Sequence, residues 1–379
     1  MTDYKRMYAA YAQVRIRFFL TLKTYKKEHM ILNQKNRRKA YKVSTGRKIS
    51  HVLAVIGVTL AFIVVLCFLA CWILIKGPSE YAKNIFTNTC NETSAMKWIP
   101  RMFLSEEEVQ SIIQSSQLAT VDEGTVANLD LIDTTASDVT QPIEIVDITG
   151  PSYKGKLMIV HDPSKVFLGT IPEFYEGSGE VVADIITHYD GAIAGINAGD
   201  FIDMGSYSYT AMPLGAVISN GEVVFQDSGY DAVYHLTGFT SDNKFFIGNI
   251  TLNEAIEMGV RDAVYNAHLT GPFLVMDGEA LINEVPDSAT YGGGKNPRTA
   301  IGQRADGSVL LLVIDGRQAN SLGATFVDLA KVMQEQGAVN ACAMDGGTST
   351  QMVYYGEVLN NPYSPTGPRK CPTAWLVME

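Results

Sequence analysis

Residues 52–75, VLAVIGVTLAFIVVLCFLACWILI, run for 24 positions without a charge or a strongly polar side chain. As a helix rising about 1.5 Å per residue, the run spans roughly 36 Å, more than the ~30 Å hydrocarbon core of a bilayer. It predicts one membrane-spanning helix and divides the chain at that point. Charge supplies the orientation. Residues 1–50 carry a formal +12, and residues 51–379 carry −22. Basic residues stay on the cytoplasmic side of a span, so the N-terminal arm is expected inside and the rest outside. A cleaved signal peptide is the competing reading. The arm is longer than a usual n-region, the apolar run exceeds a typical h-region, and no small-residue cleavage site follows Ile75.

The expected organisation is a basic cytoplasmic arm (1–50), a transmembrane helix (51–76), a stalk and linker with a short helix (77–141), and a folded domain (142–379). Lys35, Arg37, Arg38 and Lys39 in the arm suit attraction to an anionic lipid surface. No aromatic-interleaved pattern points to nucleic acid. Ser105 and Glu108 form a capping-box pattern that opens the short helix. Cys67 and Cys71 fall in the span. Cys90, Cys342 and Cys371 lie beyond it, where disulfides are permitted, and Cys342–Cys371 is the expected pair. Asn91-Glu-Thr and Asn249-Ile-Thr match the glycosylation acceptor pattern, which matters only in a eukaryotic secretory pathway. A bacterial plasma membrane is the expected location.

From residue 142 short apolar runs alternate with Gly, Pro and Asp turns. Strands are expected at 143–147, 156–160, 166–169, 192–196, 215–219, 223–225, 245–247, 273–276, 299–303, 309–315, 339–344, 351–354 and 374–378. Helices are expected at 181–189 and 325–335. In the second, Phe326, Leu329, Ala330 and Met333 share a face and Gly337 ends the helix. Strands outnumber helices, so the fold class is α+β, with a single mixed-sheet domain on the transmembrane helix.

Four segments place polar groups where apolar strands stop. In GINAGDF (195–201), Asn197 and Asp200 flank small residues that let backbone approach a ligand. In GGGKNPRTAIG (292–302), a glycine-rich loop leads to Arg298, whose planar fork suits phosphate or carboxylate. A phosphate-binding P-loop is a poor fit, because no Gly-Lys-Ser/Thr precedes a helix. In LLLVIDGR (310–317), an apolar run ends in Asp315, Gly316 and Arg317. In NACAMDGGTSTQM (340–352), a strand ends in Asp345, followed by Gly346, Gly347, Thr348 and Ser349, whose amides and hydroxyls can hold an anion. Each segment alone also reads as a turn or a structural ion pair. Together they offer paired carboxylates for glycosidic cleavage and arginines for phosphate. A Ser/His/Asp hydrolase fits poorly. His161, His188, His235 and His268 lie outside these segments, and Gly-x-Ser-x-Gly is missing. His268 is expected to be solvated.

At these segments the chain resembles the phosphodiester glycosidase family. The resemblance is carried by NAGDF (197–201), GPFLV (271–275), NPRTAIG (296–302), VIDGR (313–317), TFVDLA (325–330), NACAMDGGTST (340–350) and RKCP (369–372). Their order and spacing match over residues 143–379. The resemblance implies hydrolysis of a sugar-1-phosphodiester, releasing the sugar from its anomeric phosphate. It implies catalytic roles for Asp345 and Asp315, and phosphate-facing roles for Arg298 and Arg317. It implies substrate contacts from Asn197, Gly346, Gly347, Thr348 and Ser349. Two departures stand out. Thr348 replaces a third glycine, and Asp200 precedes Phe201 where an aromatic pair is usual. Asp200 is therefore a candidate ligand for a divalent cation, Ca or Mg. The expected partners are a phosphate-containing glycan of the cell envelope and the plasma membrane, reached through residues 52–75. The alternatives are a non-catalytic phosphoglycan-binding or envelope-assembly protein, and a glycosyl-phosphate transferase.

Overall fold

The computed structural model describes residues 13, 15, 17–32, 45–116, 118–135, 142–203, 208–281, 293–361, 363–364 and 367–379. The chain separates into two compact units, Met1–Ala70 and Cys71–Glu379. The first contains most of the helix Thr45–Lys76, with no acid in its first turn and Lys76 in its last. Over Ile49–Lys76 this helix is long and apolar enough to cross a membrane.

Among the described residues the second unit is built on three large sheets and a two-stranded one, Phe201–Asp203 with Ser208–Pro213. A seven-stranded sheet runs in the order Ile143–Thr149, Lys154–Val160, Val309–Ile314, Arg298–Arg304, Ala338–Met344, Phe273–Met276, Glu279–Ala280. A five-stranded sheet places Phe245–Thr251 and Val233–Thr240 beside Val260–Tyr265, Ala216–Ser219 and Glu222–Gln226. Another five-stranded sheet holds Glu357–Val358, Met352–Tyr354, Ala192–Asn197, Thr373–Met378 and Val166–Thr170.

The apolar run at 309–314 explains the layering. Val309, Leu311 and Val313 enter a central core with Val166, Ile196, Phe239, Phe245 and Trp375, contributed by the other two large sheets. Leu310, Leu312 and Ile314 point to the opposite face and pack with Phe326, Leu329, Ala330 and Met333. A strand buried on both faces carries no polar alternation, which is why this one reads as continuous hydrophobe. The helix Phe326–Glu335 covers that second face. It opens on a capping box between Thr325 and Asp328. Gly337 follows it in the left-handed region, φ 83°.

Two expectations are corrected here. The segment expected as a stalk is packed on the domain. Ser79 caps the helix Glu80–Asn91, whose Thr87, Asn88 and Cys90 are buried. The helix Glu106–Ser115 has the capping box anticipated from Ser105 and Glu108. Ile75, Leu104, Val109 and Ile112 close a small core beneath these helices. The second correction concerns the disulfide, because Cys342 and Cys371 are free thiols. Cys342 sits in the central core between the sheets, whereas Cys371 packs in a separate cluster with Val182 and Ile185. Burial pushes both thiols up from their ordinary range. Asn249 is a poor acceptor for a glycan. Its Oδ1 meets His235 Nδ1, and its Nδ2 donates to the Val121 carbonyl.

Candidate active site

Strands 298–304, 309–314 and 338–344 are antiparallel neighbours, with 298–304 in the middle. The start of the middle strand and the ends of its two neighbours therefore meet at one edge. Arg298, Asp315 and Asp345 are delivered there together. With strands ~4.8 Å apart, Asp315 and Asp345 sit two strand spacings, about 10 Å, from each other.

Asn197 brings the third sheet into this edge. Its Nδ2 donates to the Asp345 carbonyl (2.6 Å), and its Oδ1 accepts from Thr299 Oγ1 (2.9 Å) and the Gln351 amide (3.2 Å). The Asp345 amide donates to the Ala198 carbonyl at 3.2 Å. Asn197 is 1% exposed, so it braces the Asp345 turn and does not face solvent. Asn197→Ala is expected to cost about 3–5 kcal/mol, since three buried polar groups lose their partner at once. Urea unfolding measures this, and a loss below about 1 kcal/mol would show that the brace is dispensable.

Asp345 begins a glycine turn. The Gly347 amide donates to the Pro297 carbonyl (2.9 Å), and Gly347 has φ 64°, a conformation in which a side chain is strained. Asp345 Oδ2 is sealed from solvent and has no hydrogen-bond partner among the described residues. Burial pushes the Asp345 carboxyl up to about 7, and the Asp200 charge adds to the rise. The Ser349 hydroxyl and the Arg369 charge oppose it. Ser349 is itself buried and supports the carboxyl from below. Burial also raises Asp200, but Ala267 N–H (2.7 Å) and Thr270 O–H (2.6 Å) both donate to its Oδ2 and favour the ionised form. Burial thus holds both carboxyls towards the neutral form, Asp200 against two donors and Asp345 with its Oδ2 unpartnered.

The carboxylate charge that raises Asp345 comes from Asp200, while Asp315 is engaged elsewhere. Asp315 Oδ1 accepts from the Asn361 amide (2.9 Å) and from Asn360 Nδ2 (3.2 Å), which ties down the loop after residue 359. The two arginines also differ. Arg298 is 5% exposed, with its Nε on the Ala324 carbonyl and its Nη2 on the Gly294 carbonyl and Glu92. Its guanidinium carbon lies 3.8 Å from the centre of the Phe326 ring. It is part of the wall. Arg317 adopts φ 59°, rare for a residue with a side chain and a recurrent feature of functional sites. Its Nε and Nη2 both donate to Asn296 Oδ1 (3.1 Å each). Its guanidinium faces Gly347, where an added Cβ would lie 3.3 Å from Nη2.

Two participants were missed from the sequence. Arg369 pairs with Asp203 (2.9 Å) and donates its amide to the Thr348 carbonyl (3.4 Å). The RKCP segment was visible, but nothing in its spacing linked it to the Asp345 turn. Glu92, from the supposed stalk, pairs with Arg298 at 2.6 Å and had no local signal. His268 is partly buried with Nε2 unpartnered, and not solvated. Burial lowers its pKa and takes that of His235 down to about 4, so both are neutral at pH 7. Among the described residues no three His, Cys, Asp or Glu side chains gather to hold a metal. A divalent ion at Asp200 would complete its shell with hydroxyls, carbonyls and water.

The phosphodiester glycosidase family model matches residues 190–378. A SPbeta prophage-derived uncharacterized protein of Bacillus subtilis (strain 168), YomE, is 31% identical over 153 residues, covering 39% of this chain and 23% of that protein. The chain thus spans about a quarter of that relative's length. The catalytic domain of zebrafish N-acetylglucosamine-1-phosphodiester α-N-acetylglucosaminidase, auto-inhibited by its pro-peptide, is similar in fold. Its TM-score is 0.51 at 23% identity, over 64% of this chain and 86% of that one. The turn at Asp345 and the strand ends around it lie inside the matched region, and residues 190–378 belong to the phosphodiester glycosidase family.

Proposed function

We propose that this chain is a membrane-anchored, extracytoplasmic hydrolase that cleaves the sugar–oxygen bond of a sugar-1-phosphodiester in an envelope glycopolymer or glycoconjugate. The observation that carries the reading is the buried carboxyl pair Asp345 and Asp200 at a glycine turn faced by Arg317. Arg317 and the Gly346 amide hold the phosphate and take up the charge that develops as it leaves. Water attacks the anomeric carbon. The C–O bond breaks with both electrons going to the phosphate oxygen. Asp345, protonated near neutral pH, donates a proton to the departing phosphate, and the attacking water gives its proton up to solvent. The products are a free sugar and a phosphomonoester. The charge pattern supports an N-terminus inside and a domain outside.

The test uses the full chain in detergent micelles with a nitrophenyl-capped N-acetylglucosamine-1-phosphodiester, with and without EDTA. Free sugar carrying oxygen from labelled water is the expected product. Release of sugar 1-phosphate would mean P–O cleavage and would overturn the reading. Loss of turnover in EDTA would place a cation in the mechanism.

A further inference from the structure

We propose that Glu92 is a positioning residue for the phosphate-binding arginine, so that the segment following the membrane helix is a working part of the active site. The inference rests on the proposed function. Glu92 lies outside the family-matched region, just past the helix Glu80–Asn91. Its carboxylate is fully engaged. Oε1 accepts from the Gly294 amide (2.6 Å), and Oε2 accepts from Asn296 Nδ2 (2.9 Å) and Arg298 Nη2 (2.6 Å).

The consequence runs through Asn296, which is 1% exposed. An amide side chain has one donating end and one accepting end. Only the NH2 end can face a carboxylate. Glu92 therefore settles which way Asn296 points, and the Oδ1 end is left for Arg317 Nε and Nη2. A flipped Asn296 would present N–H groups to a guanidinium that can only donate. Glu92 also offsets charge. Arg298 and Arg317 repel one another, and Glu92 opposes that repulsion.

A plug that merely occupies the substrate site would sit in an open cavity. Glu92 instead meets a backbone amide, a buried amide side chain and the wall arginine. The loop it touches is sewn to the same helix. The Lys295 amide donates to Thr89 Oγ1 (3.0 Å), and a Cβ on Gly294 would lie 2.2 Å from the Thr89 nitrogen.

The experiment uses the full chain in micelles, as wild type, Glu92→Gln, Arg317→Lys and the double variant. Glu92→Gln is expected to lower kcat/KM for the diester by about 10- to 100-fold. Affinity for inorganic phosphate, measured by calorimetry, falls in step. Affinity for free N-acetylglucosamine stays within about twofold, which a general structural defect would not permit. On the Arg317→Lys background Glu92→Gln adds less than about twofold, because both act through one guanidinium. Fully multiplicative losses, unchanged phosphate affinity, or a rise in turnover would overturn the role, the last making Glu92 a plug. A wild-type chain that binds phosphate without turnover refutes the proposed function, while the Glu92 comparison is still read from binding. A wild-type chain that binds no phosphate overturns the positioning role as well. Should Glu92→Gln fail to fold, Glu92→Asp, which keeps the charge on a shorter arm, is expected to retain phosphate affinity within about threefold while Glu92→Ala loses it.

Discussion

Asp345→Asn is expected to lower turnover by about 10²–10⁴-fold and, at pH 8, to make the folded chain more stable than wild type. Both effects come from the same burial. Asp345 Oδ2 is sealed without a partner, and the carboxyl is pushed up to about 7 by burial first and by Asp200 second. A group whose folded pKa lies above its unfolded value binds its proton more tightly when folded. Its stabilising contribution is complete below the unfolded pKa of 3.8 and disappears as pH rises through about 7. At pH 8 the folded chain must hold an ionised carboxylate where a neutral one fits better. The rise from 3.8 to about 7 sets a ceiling of roughly 4 kcal/mol on that cost. Asparagine cannot ionise, so the cost is absent in the variant. Near pH 4 both side chains are neutral and the difference should shrink towards zero. Denaturant melts of both proteins at pH 4, 6 and 8 measure the trend. A variant that is less stable at pH 8, or a difference that does not grow with pH, would remove the buried-carboxyl account. The same assignment predicts turnover that declines above about pH 7, where the proton donor is lost.

Strand periodicity carried much of the fold into the sequence. The doubly buried run at 309–314, the capped helix after Thr325 and the strand 338–344 were all legible, because burial on both faces or one leaves a plain pattern. The strands Val233–Thr240 and Val260–Tyr265 were not. The second carries Arg261 and Asp262 as a side-by-side ion pair at 2.8 Å, which breaks the apolar signature from within. At the site, residue types were legible and pairings were not. Asp345, Asp315, Arg298 and Arg317 all look alike at strand ends. Which carboxylate raises Asp345 depends on Asn197 joining two sheets, and which arginine is wall depends on Phe326 and Glu92. The Asn197 and Glu92 contacts join residues more than a hundred positions apart, and no local spacing records them.

A fragment beginning at residue 118 illustrates how far the unread contacts matter. It keeps every strand of the second unit and the whole family-matched region. It is nevertheless expected to fold poorly or not at all. Removal of the preceding helices takes Glu92 from Arg298, leaving a guanidinium that is 5% exposed without its counter-charge. Breaking a buried pair from one side costs about 3–5 kcal/mol, a large share of the 5–15 kcal/mol that holds a typical domain together. Further losses come at Ser116, whose carbonyl accepts from the Gly293 amide (3.2 Å), and at Thr89, which takes the Lys295 amide. The glycine-rich loop 293–297 would lose the surface on which it lies. A fragment beginning at residue 77 keeps all of these contacts and should melt cooperatively. The two fragments are compared by thermal melting and limited proteolysis, with cleavage expected first around residues 293–297 in the shorter one. Equal melting temperatures would show that the helices are an accessory to the domain. A shorter fragment that loses at least about 10 °C, or never folds, would establish that the segment between the apolar helix and residue 118 is a structural member of the folded unit.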